Sequence, residues 1–457
     1  MTLWTHLEAQ AATLGTASAP FQVNGLSIDT RTLKPGDLFV ALTGGNRDGH
    51  DFVRAAFEAR AGAALVTHAP PGVAGPLLTV GHTQRGLEDL ARAARARSNA
   101  KILAVTGSAG KTTTKEILRL ACNALGRTHV SAASYNNHWG VPLSLAALPR
   151  DAEYGVFEVG MNHFGELRNL VSFVRPHLAL ITTIAPAHLE FFGNCESIAD
   201  AKSEIFEGLE PGGFGLIPAD SVYAERLTAR ARQAKVGRIV SFGEKGEAKL
   251  LSCSPEGDGM RLKADILGTA VECFVGAPGA HIAQNVVGAL AAAALLEGDV
   301  LNAAAALKDF TALKGRGARF RSGDVAVIDE SYNANPASMA AALALLGAAP
   351  SSEKKGRRIA VLGDMLEMGE GGIAHHAGLA AAIEAHGTDL VFASGAQMAH
   401  LWEALPAARR GGYAATAADL LPQVLAALKP GDTVLVKGSN GSNMALIVEA
   451  LKARGEG

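Results

Sequence analysis

A three-domain α/β fold is predicted, because short apolar segments alternate along the chain with Ala- and Leu-rich segments of helical length. The length of 457 residues suits three domains, and a content of 48% apolar residues is enough for several cores. We place the domains at residues 1–95, 96–313 and 314–457. Each is expected to contain a mostly parallel sheet.

Composition argues against several classes of protein. Lys and Arg number 42 and Asp and Glu number 44, so the formal net charge of −2 favours neither nucleic acid nor a membrane surface as a partner. The four cysteines lack metal-type spacing, which is typical of a reduced protein. Residues 1–8 lack the basic start of a signal peptide, and the apolar run 286–296 is shorter than the ~20 residues of a membrane span. We expect a cytoplasmic monomer without membrane insertion.

The elements follow in order along the chain. The first domain ends in a polar, arginine-rich helix over 85–98, and the second begins with an apolar strand over 101–105. Residues 315–319, with two glycines and two arginines, are interpreted as a linker. Further strands are predicted from apolar runs at 154–159, 178–183, 325–328, 359–362, 390–393 and 433–436.

The most informative motif is Thr-Gly-Ser-Ala-Gly-Lys-Thr-Thr-Thr at residues 106–114, between the first strand of the second domain and a helix. Glycines there let the backbone approach an anion, a lysine neutralises outer phosphates, and a threonine hydroxyl can bind Mg²⁺. Val105 stands where the full motif has another glycine, so the loop is shortened. The alternative is a surface glycine turn. We predict a site for ATP or a similar nucleotide in a P-loop ATPase-type sheet, formed by Gly107, Ser108, Ala109, Gly110, Lys111, Thr112 and Thr113.

Polar residues follow other strands of the second domain. Glu158 ends the apolar strand 154–159, where side chains of parallel sheets face the ligand crevice, although it could instead cap the next helix. His188 follows the strand 178–183 and could be structural. The pattern around Lys202, a helix flanked by acidic residues, favours a surface lysine in local ion pairs.

Two more polar groups allow two interpretations each. Asn136 and Asn137 could bind an amide- or sugar-bearing substrate, or could cap turns. His281, Gln284 and Asn285 lie on one helix face and could form a rim for adenine, or could be the polar first turn of that helix.

The third domain carries polar loops after three of its predicted strands, at 329–336, 363–369 and 437–443. Strand ends of one parallel sheet meet at the same edge, so these loops predict a Rossmann-like domain with its own ligand face. A phosphate loop in one domain and a polar face in the next indicate two substrates joined across a cleft.

Taken together, these segments resemble the Mur ligases, ATP-dependent enzymes that form amide bonds in peptidoglycan precursor synthesis. The motifs GSAGKTTTKE, NNHWGVPL, FEVGMN, APAHLEFFG, AKSEIF, DESYNANP, GDMLEMGE and VKGSN occur in the order of that family. SYNANP and GDMLEMG, with the N-terminal segments 27–31, 36–41 and 46–50, are similar to the branch that adds D-alanyl-D-alanine to UDP-N-acetylmuramoyl-tripeptide. The resemblance implies that the first domain binds the UDP-muramoyl substrate, the second ATP and the third the dipeptide.

The resemblance also implies roles for individual residues. Thr112 and Glu158 would hold one Mg²⁺, while His188 and a carbamylated Lys202 would serve a second. The ATP phosphates would bind the phosphate loop. Asn285 and Arg316 would contact the adenine end and the phosphates of ATP, and the pair Asp329–Glu330 would lie at its ribose. The implied substrate-binding residues are Ser27, Asp29, Thr30, Arg31, Asn46, His50, Asn136, Asn137, Asn333, Asn335 and Asp364.

Two positions depart from the family pattern. Glu330 stands where aspartate is expected, and Asn440 stands where many members have arginine. Because that arginine is missing, Lys437 or a helix N-terminus is expected to neutralise the dipeptide carboxylate. The sequence does not identify the base that takes the proton from the incoming amine. His375 and His376 are candidates for this role. The alternatives are another Mur-type amino acid ligase and, in a different class, a P-loop regulatory ATPase.

Overall fold

The computed structural model describes residues 2–45, 47–131, 134–349 and 356–456. Three large sheets follow one another along the chain, and we refer to the parts built around them as the N-terminal, central and C-terminal domains. The predicted α/β class is confirmed. The boundaries after residues 95 and 313 stay a prediction.

The N-terminal domain is built on a sheet with strand order β2-β9-β8-β5-β4, parallel except for the antiparallel pair β2–β9. Its strands are β1 (Trp4–Thr5), β2 (Thr16–Ala17), β3 (Gln22–Val23), β4 (Gly25–Ser27), β5 (Asp37–Val40), β6 (Thr43–Gly44), β7 (Arg47–Asp48), β8 (Ala63–Val66) and β9 (Leu77–Thr79). Its helices are α1 (His6–Thr13), α2 (Val53–Glu58) and α3 (Thr83–Ala96), the last being the predicted arginine-rich helix.

The central domain has nine strands in the order β11-β12-β10-β13-β14-β15-β16-β17-β18. They are β10 (Lys101–Thr106), β11 (Thr128–Val130), β12 (Tyr154–Glu158), β13 (Leu178–Ile181), β14 (Phe214–Pro218), β15 (Arg238–Gly243), β16 (Ala248–Glu256), β17 (Gly259–Ile266) and β18 (Thr269–Val275). The helices are α4 (Lys111–Asn123), α5 (Gly140–Ala146), α6 (Glu166–Val174), α7 (Leu189–Phe192), α8 (Cys195–Ser203), α9 (Ala224–Gln233), α10 (Ala280–Leu295) and α11 (Val300–Ala305). Strands β16, β17 and β18 pair antiparallel and extend the otherwise parallel sheet, a feature the sequence interpretation missed.

The C-terminal sheet has the order β19-β20-β24-β21-β22-β23, with only the pair β19–β20 antiparallel. Its strands are β19 (Ala318–Ser322), β20 (Val325–Glu330), β21 (Arg358–Gly363), β22 (Leu390–Ser394), β23 (Arg410–Ala414) and β24 (Thr433–Lys437). Its helices are α12 (Pro336–Gly347), α13 (Gly372–Ala385), α14 (Met398–Ala404), α15 (Ala417–Ala427) and α16 (Ala445–Glu456). Short 3₁₀ turns lie at Gly49–Phe52, Glu204–Gly208, Ala306–Asp309, Gly369–Gly371, Ala407–Arg409 and Asn440–Ser442.

The apolar segment 286–296 forms most of α10, a helix of the central core. It packs against α4 and α11 and against β15, β16 and β17. Contacts with both helices and strands explain why this helix is apolar around most of its circumference. None of the helices in residues 2–45, 47–131, 134–349 and 356–456 is both long and apolar enough to span a bilayer.

A buried arginine of α3 contributes to the contact between the N-terminal and central domains. Arg95 is 5% exposed, and its guanidinium donates to the carbonyls of Val174 at 2.9 Å and Arg175 at 2.8 Å, where α6 ends. Glu210 accepts a further hydrogen bond from Arg95 at 3.2 Å. The last carbonyls of a helix have no hydrogen-bond donors within the helix. Arg95 supplies donors to the carbonyls at the end of α6 from another domain.

Replacing Arg95 with methionine should therefore destabilise the protein by about 2 kcal/mol, since buried carbonyls lose their donors. A shift of the urea unfolding midpoint would measure the effect. Arg85→Met is the matched control, because Arg85 lies on the same helix and is exposed. An equal loss of stability in both variants would contradict this account.

Candidate active site

A cavity of about 380 Å³ lies between the central and C-terminal domains. Its wall combines the end of β10, the start of α10 and the strand-end loops of the C-terminal sheet. Residues predicted for the site that line it are Ser108, Ala109, Gly110, Lys111, Thr113, Asn136, Glu158, His188, His281, Gln284, Asn285, Arg316, Glu330, Asn333, Asn335 and Lys437. The structure thus brings together residues that are far apart in the sequence.

The phosphate loop connects β10 to α4 as the motif predicts. Gly107 and Gly110 adopt φ values of +152° and +80°, which are disfavoured for residues with a side chain. A Cβ atom on Gly107 would lie 1.9 Å from Thr182 Oγ1, so the loop also needs glycine for space. Lys111, the first residue of α4, donates from Nζ to the Gly107 carbonyl at 2.8 Å. Burial lowers the pKa of Lys111, an effect the nearby Glu158 carboxylate opposes.

Glu158 is the centre of a hydrogen-bond group at the end of β12. Thr112 Oγ1 donates to Glu158 Oε2 at 2.8 Å, and Asn136 Nδ2 donates to Glu158 Oε1 at 2.7 Å. Glu158 is 1% exposed and still lines the cavity. A hydroxyl and a carboxylate beside a phosphate loop are hard oxygen ligands that suit Mg²⁺.

No cluster of three or more His, Cys, Asp or Glu side chains suited to a metal occurs in the described parts of the chain. Such a cluster is not required for Mg²⁺, which usually takes one or two protein carboxylates and completes its shell with water and substrate phosphates. The donor set at Thr112 and Glu158 therefore fits the ion that the sequence predicts.

The local sequence pattern favours a surface position for Lys202, but in the structure this lysine is buried. It is 2% exposed on α8, and its ammonium has no hydrogen bond or ion pair within the described residues. Burial, together with the charge of Lys111, lowers its pKa well below the ordinary value. The amine consequently holds its proton weakly. The acidic neighbour Asp200 pairs instead with Arg226 and Arg230.

His188 lies at the rim of the cavity and contacts the C-terminal domain. Its Nδ1 pairs with Glu367 Oε2, and its side chain is 26% exposed. Burial lowers the pKa of His188, while the Glu367 carboxylate acts in the opposite direction. Glu367 lies within the GDMLEMGE motif but was not predicted to contact the site. Only a prediction of how the two domains meet could have found it.

The start of α10 forms one end of the cavity. Asn285 is 7% exposed and lies against the phosphate loop, with its Nδ2 3.0 Å from the Cβ position of Gly110. Gln284 Nε2 donates to Asp220 at 3.3 Å. The guanidinium of Arg316, from the predicted linker, lies 3.9 Å from the ring centre of Tyr332 and 3.5 Å from Ser134 Oγ.

The two acidic residues at the end of β20 have different positions. Glu330 faces the cavity and pairs with Lys437 Nζ at 3.3 Å. Asp329 points away, because alternate strand residues face opposite sides. Its carboxylate is buried and accepts from the backbone N–H of Gly315 at 2.9 Å and from the hydroxyl of Ser331 at 2.6 Å. Asp329 therefore holds the linker rather than lining the predicted nucleotide site.

Lys437 is 2% exposed, and besides Glu330 it donates to the Asn333 carbonyl at 2.9 Å. It lines the cavity between the domains, whereas Asn440 and Asp364 line another cavity of about 650 Å³ in the C-terminal domain. The suggestion that Lys437 replaces the arginine missing at position 440 is therefore not supported by its position. Asp364 also accepts from the backbone N–H of Met398 at 2.8 Å.

Several predicted asparagines have structural roles. Asn137 Oδ1 accepts from the backbone N–H groups of Trp139 and Gly140, where α5 begins, which matches the turn-capping alternative. Asn335 is the N-cap of α12, and its Nδ2 donates to the Ser108 carbonyl at 3.2 Å across the domain interface.

The predicted substrate residues of the N-terminal domain are only partly free. Asp29 pairs with Arg31 at 2.6 Å, Ser27 donates to the Asp29 carbonyl at 2.9 Å, and Thr30 is half-buried. Both ring nitrogens of His50 are occupied, by Asp48 at 2.6 Å and by the backbone N–H of Thr67 at 2.9 Å. His50 therefore joins two loops and offers no nitrogen to a substrate. Asn46 lies outside the described residues.

His376 is unsuited to the role of base. It is fully buried, Nδ1 contacts the Gly372 carbonyl at 2.7 Å, and Nε2 accepts from the Met365 backbone at 2.9 Å. Burial lowers its pKa. Its neighbour His375 is half-buried in the first turn of α13.

Fold and site together define a nucleotide-dependent ligase of known type. Three family models match successive parts of the chain: Mur ligase family, catalytic domain, at residues 22–113; Mur ligase middle domain at 105–293; and Mur ligase, glutamate ligase domain, at 315–440. The chain belongs to the Mur ligase family.

Individual relatives share nearly the whole length. The UDP-N-acetylmuramoyl-tripeptide--D-alanyl-D-alanine ligase of Rickettsia prowazekii (strain Madrid E) is 32% identical, and the alignment covers 93% of this chain and 94% of the relative. The protein of the same name from Escherichia coli (strain K12) is 34% identical over 96% of this chain and 95% of its own. A crystal structure of MurF from Acinetobacter baumannii superposes with a TM-score of 0.86 at 28% identity, covering 98% of this chain and 99% of that one.

Proposed function

We propose that this chain uses ATP to join D-alanyl-D-alanine to UDP-N-acetylmuramoyl-tripeptide, forming the UDP-N-acetylmuramoyl-pentapeptide precursor of peptidoglycan. The observation that carries the proposal is the cavity in which the phosphate loop of one domain faces the strand ends of the next. The relatives named above carry this activity in their names and match over more than nine-tenths of the chain.

The reaction requires an activated carboxylate. An oxygen of the tripeptide's terminal carboxylate attacks the γ-phosphorus of ATP, the bond to the β-phosphate oxygen breaks, and ADP leaves. The amine of D-alanyl-D-alanine then attacks the acyl phosphate through a tetrahedral intermediate, which expels phosphate and loses a proton from nitrogen. Lys111 and the N-terminus of α4 offset the charge on the transferred group and hold it in line.

Mg²⁺, held by Thr112 and Glu158, would supply further neutralisation of the phosphate oxygens. The C-terminal loops around Glu330 and Asn333 close the other side of the cavity. They would exclude water, which otherwise hydrolyses an acyl phosphate.

Lys202 is proposed to carry a carbamate. Its buried amine, with a lowered pKa, is available in the neutral form that attacks CO₂. The new N–C bond forms with loss of a proton from nitrogen, and an ammonium site becomes a carboxylate suited to a hard cation. His188 would be the partner of this carbamate at a second Mg²⁺.

The remaining substrate contacts are assigned by position. Asn285 lies against the phosphate loop and His281 lines the same cavity, and both would contact the adenine end of ATP. The N-terminal domain would receive the UDP group through the exposed Arg31, the half-buried Thr30 and the buried Ser27. We also propose a cytoplasmic location, because Cys122, Cys195, Cys253 and Cys273 are all free thiols.

Phosphate release should depend on the dipeptide. With ATP and UDP-N-acetylmuramoyl-tripeptide, we expect release when D-alanyl-D-alanine is present, with a product heavier by the dipeptide, and only background release with single amino acids. A coupled phosphate assay and mass spectrometry measure both.

Other outcomes would assign the chain elsewhere. Release with a single amino acid would identify a different Mur-type ligase. Release that needs no acceptor would favour a regulatory ATPase.

A further inference from the structure

The central and C-terminal domains meet closely at one rim of the cavity, through two loops. Residues 188–190 follow β13 in the central domain, and residues 367–369 follow β21 in the C-terminal domain. His188 Nδ1 pairs with the Glu367 carboxylate, and the backbone N–H of Glu190 donates to the Glu367 carbonyl at 3.2 Å. A Cβ atom on Gly369 would lie 3.3 Å from the Cα atom of Glu190, so the two backbones are nearly in contact.

Leu189 adds an apolar contact between the two polar ones. It packs against the hydrophobic cluster shared by the N-terminal and central domains, and also against the cluster formed by α12, α13 and their strands in the C-terminal domain. Among the partly buried apolar side chains of the described residues, Leu189 is the one that packs against both of these clusters. A side chain that is buried from both sides loses part of its burial when the domains separate.

The backbone at this contact is unusual on both sides. His188 has φ +56° and Glu367 has φ +61°, values in the left-handed region that residues with a side chain rarely adopt. Such conformations persist where surrounding contacts hold them, and they concentrate at functional sites. Here His188 and Glu367, the two residues with this backbone conformation, pair with each other through their side chains.

We propose that residues 188–190 and 367–369 form the latch that closes the C-terminal domain over the central domain, and that Glu367 is a positioning residue for His188. Glu367 occupies Nδ1, which leaves Nε2 as the ring nitrogen available to the cavity. The ring is therefore oriented by a carboxylate from the other domain and is correctly placed only when the domains are closed. The kinetic part of this inference rests on the proposed ligase function.

The latch can be tested with three variants and two readouts. Leu189→Ala removes the apolar contact, Glu367→Ala removes the carboxylate, and Glu367→Gln keeps a hydrogen-bond acceptor for Nδ1. Tryptic cleavage after Lys314, an exposed residue beside the buried Gly315 of the linker, reports domain opening without any need for activity. Steady-state kinetics of dipeptide-dependent phosphate release report the placement of His188.

Both alanine variants should be cleaved several-fold faster than the wild type. Glu367→Ala should also lower kcat by about 10- to 100-fold, the usual loss when the partner of a ligating histidine is removed, with little change in the KM for ATP. Glu367→Gln should recover most of the wild-type kcat. The matched controls are Glu370→Gln, an exposed acid in the same loop, and Leu251→Ala, an exposed leucine on β16.

Wild-type cleavage rates in both alanine variants would overturn the latch. A kcat in Glu367→Gln as low as that of Glu367→Ala would overturn positioning by this hydrogen bond. Circular dichroism checks that each variant folds. The Glu367 side chain is 43% exposed, so its replacement should not prevent folding. The Glu367 variants therefore test the inference even if Leu189→Ala does not fold. If the wild type itself shows no dipeptide-dependent release, the ligase proposal fails, while the cleavage rates still decide the latch.

Discussion

Lys111→Ala is expected to lower the rate of dipeptide-dependent phosphate release by about a thousandfold or more, while the fold stays intact. The Lys111 ammonium is the cation at the start of α4, and charge stabilisation of a transferred phosphoryl group contributes effects of this size. Its only described hydrogen bond is to the Gly107 carbonyl in its own loop, so its removal leaves no buried acid without a partner. The rate is measured with the coupled phosphate assay at saturating ATP.

Lys249→Ala is the matched control for this variant. Lys249 is an exposed lysine on β16, remote from the cavity, and its replacement should leave the rate unchanged. Near-UV and far-UV circular dichroism should be the same for both variants and the wild type. Wild-type turnover in Lys111→Ala would refute the assignment of residues 107–113 as the phosphate site.

Lys202→Ala is expected to abolish turnover, and a short carboxylic acid such as acetate should restore part of it. The variant leaves a small buried space where the lysine side chain was, and acetate can place there the carboxylate that a carbamate would supply. Phosphate release measured over a series of acetate concentrations should rise and then saturate. The wild type should not be stimulated.

Two further measurements isolate the carbamate. Lys202→Arg keeps a positive charge but lacks the amine that attacks CO₂, so it should be as inactive as the alanine variant. Wild-type protein in ¹³C-bicarbonate should show a carbamate carbon resonance that is missing from Lys202→Ala. Full activity of the alanine variant would remove the carbamate from the proposed mechanism.

The phosphate loop could be predicted well because it is a local structure. Its strand, two glycines and helix are consecutive in the sequence, so one short motif identifies the loop, although Thr182 and Thr183 also hydrogen-bond to it. The apolar strands at 325–328, 359–362 and 433–436 were found for the same reason, with ends shifted by only one or two residues. Strand ends of a parallel sheet then predict one ligand face without further information.

Predictions about single side chains were less successful where packing decides the outcome. The pattern around Lys202 resembles that of an exposed helix, yet the lysine is buried together with Ile198 and Ala201 of the same helix. The alternation of side chains along β20 implies that Asp329 and Glu330 face opposite sides, but not which of them faces the cavity.

Local sequence thus determines the class of the fold, the place of the phosphate loop and the edge of each sheet that carries polar residues. These features follow from periodicity and from backbone preferences of glycine, which act over a few residues. The tertiary structure determines which polar residues meet: Glu330 with Lys437, Asn335 with the phosphate loop, and His188 with Glu367. Those contacts join residues up to 227 positions apart, and they depend on how whole domains pack, which no local pattern encodes.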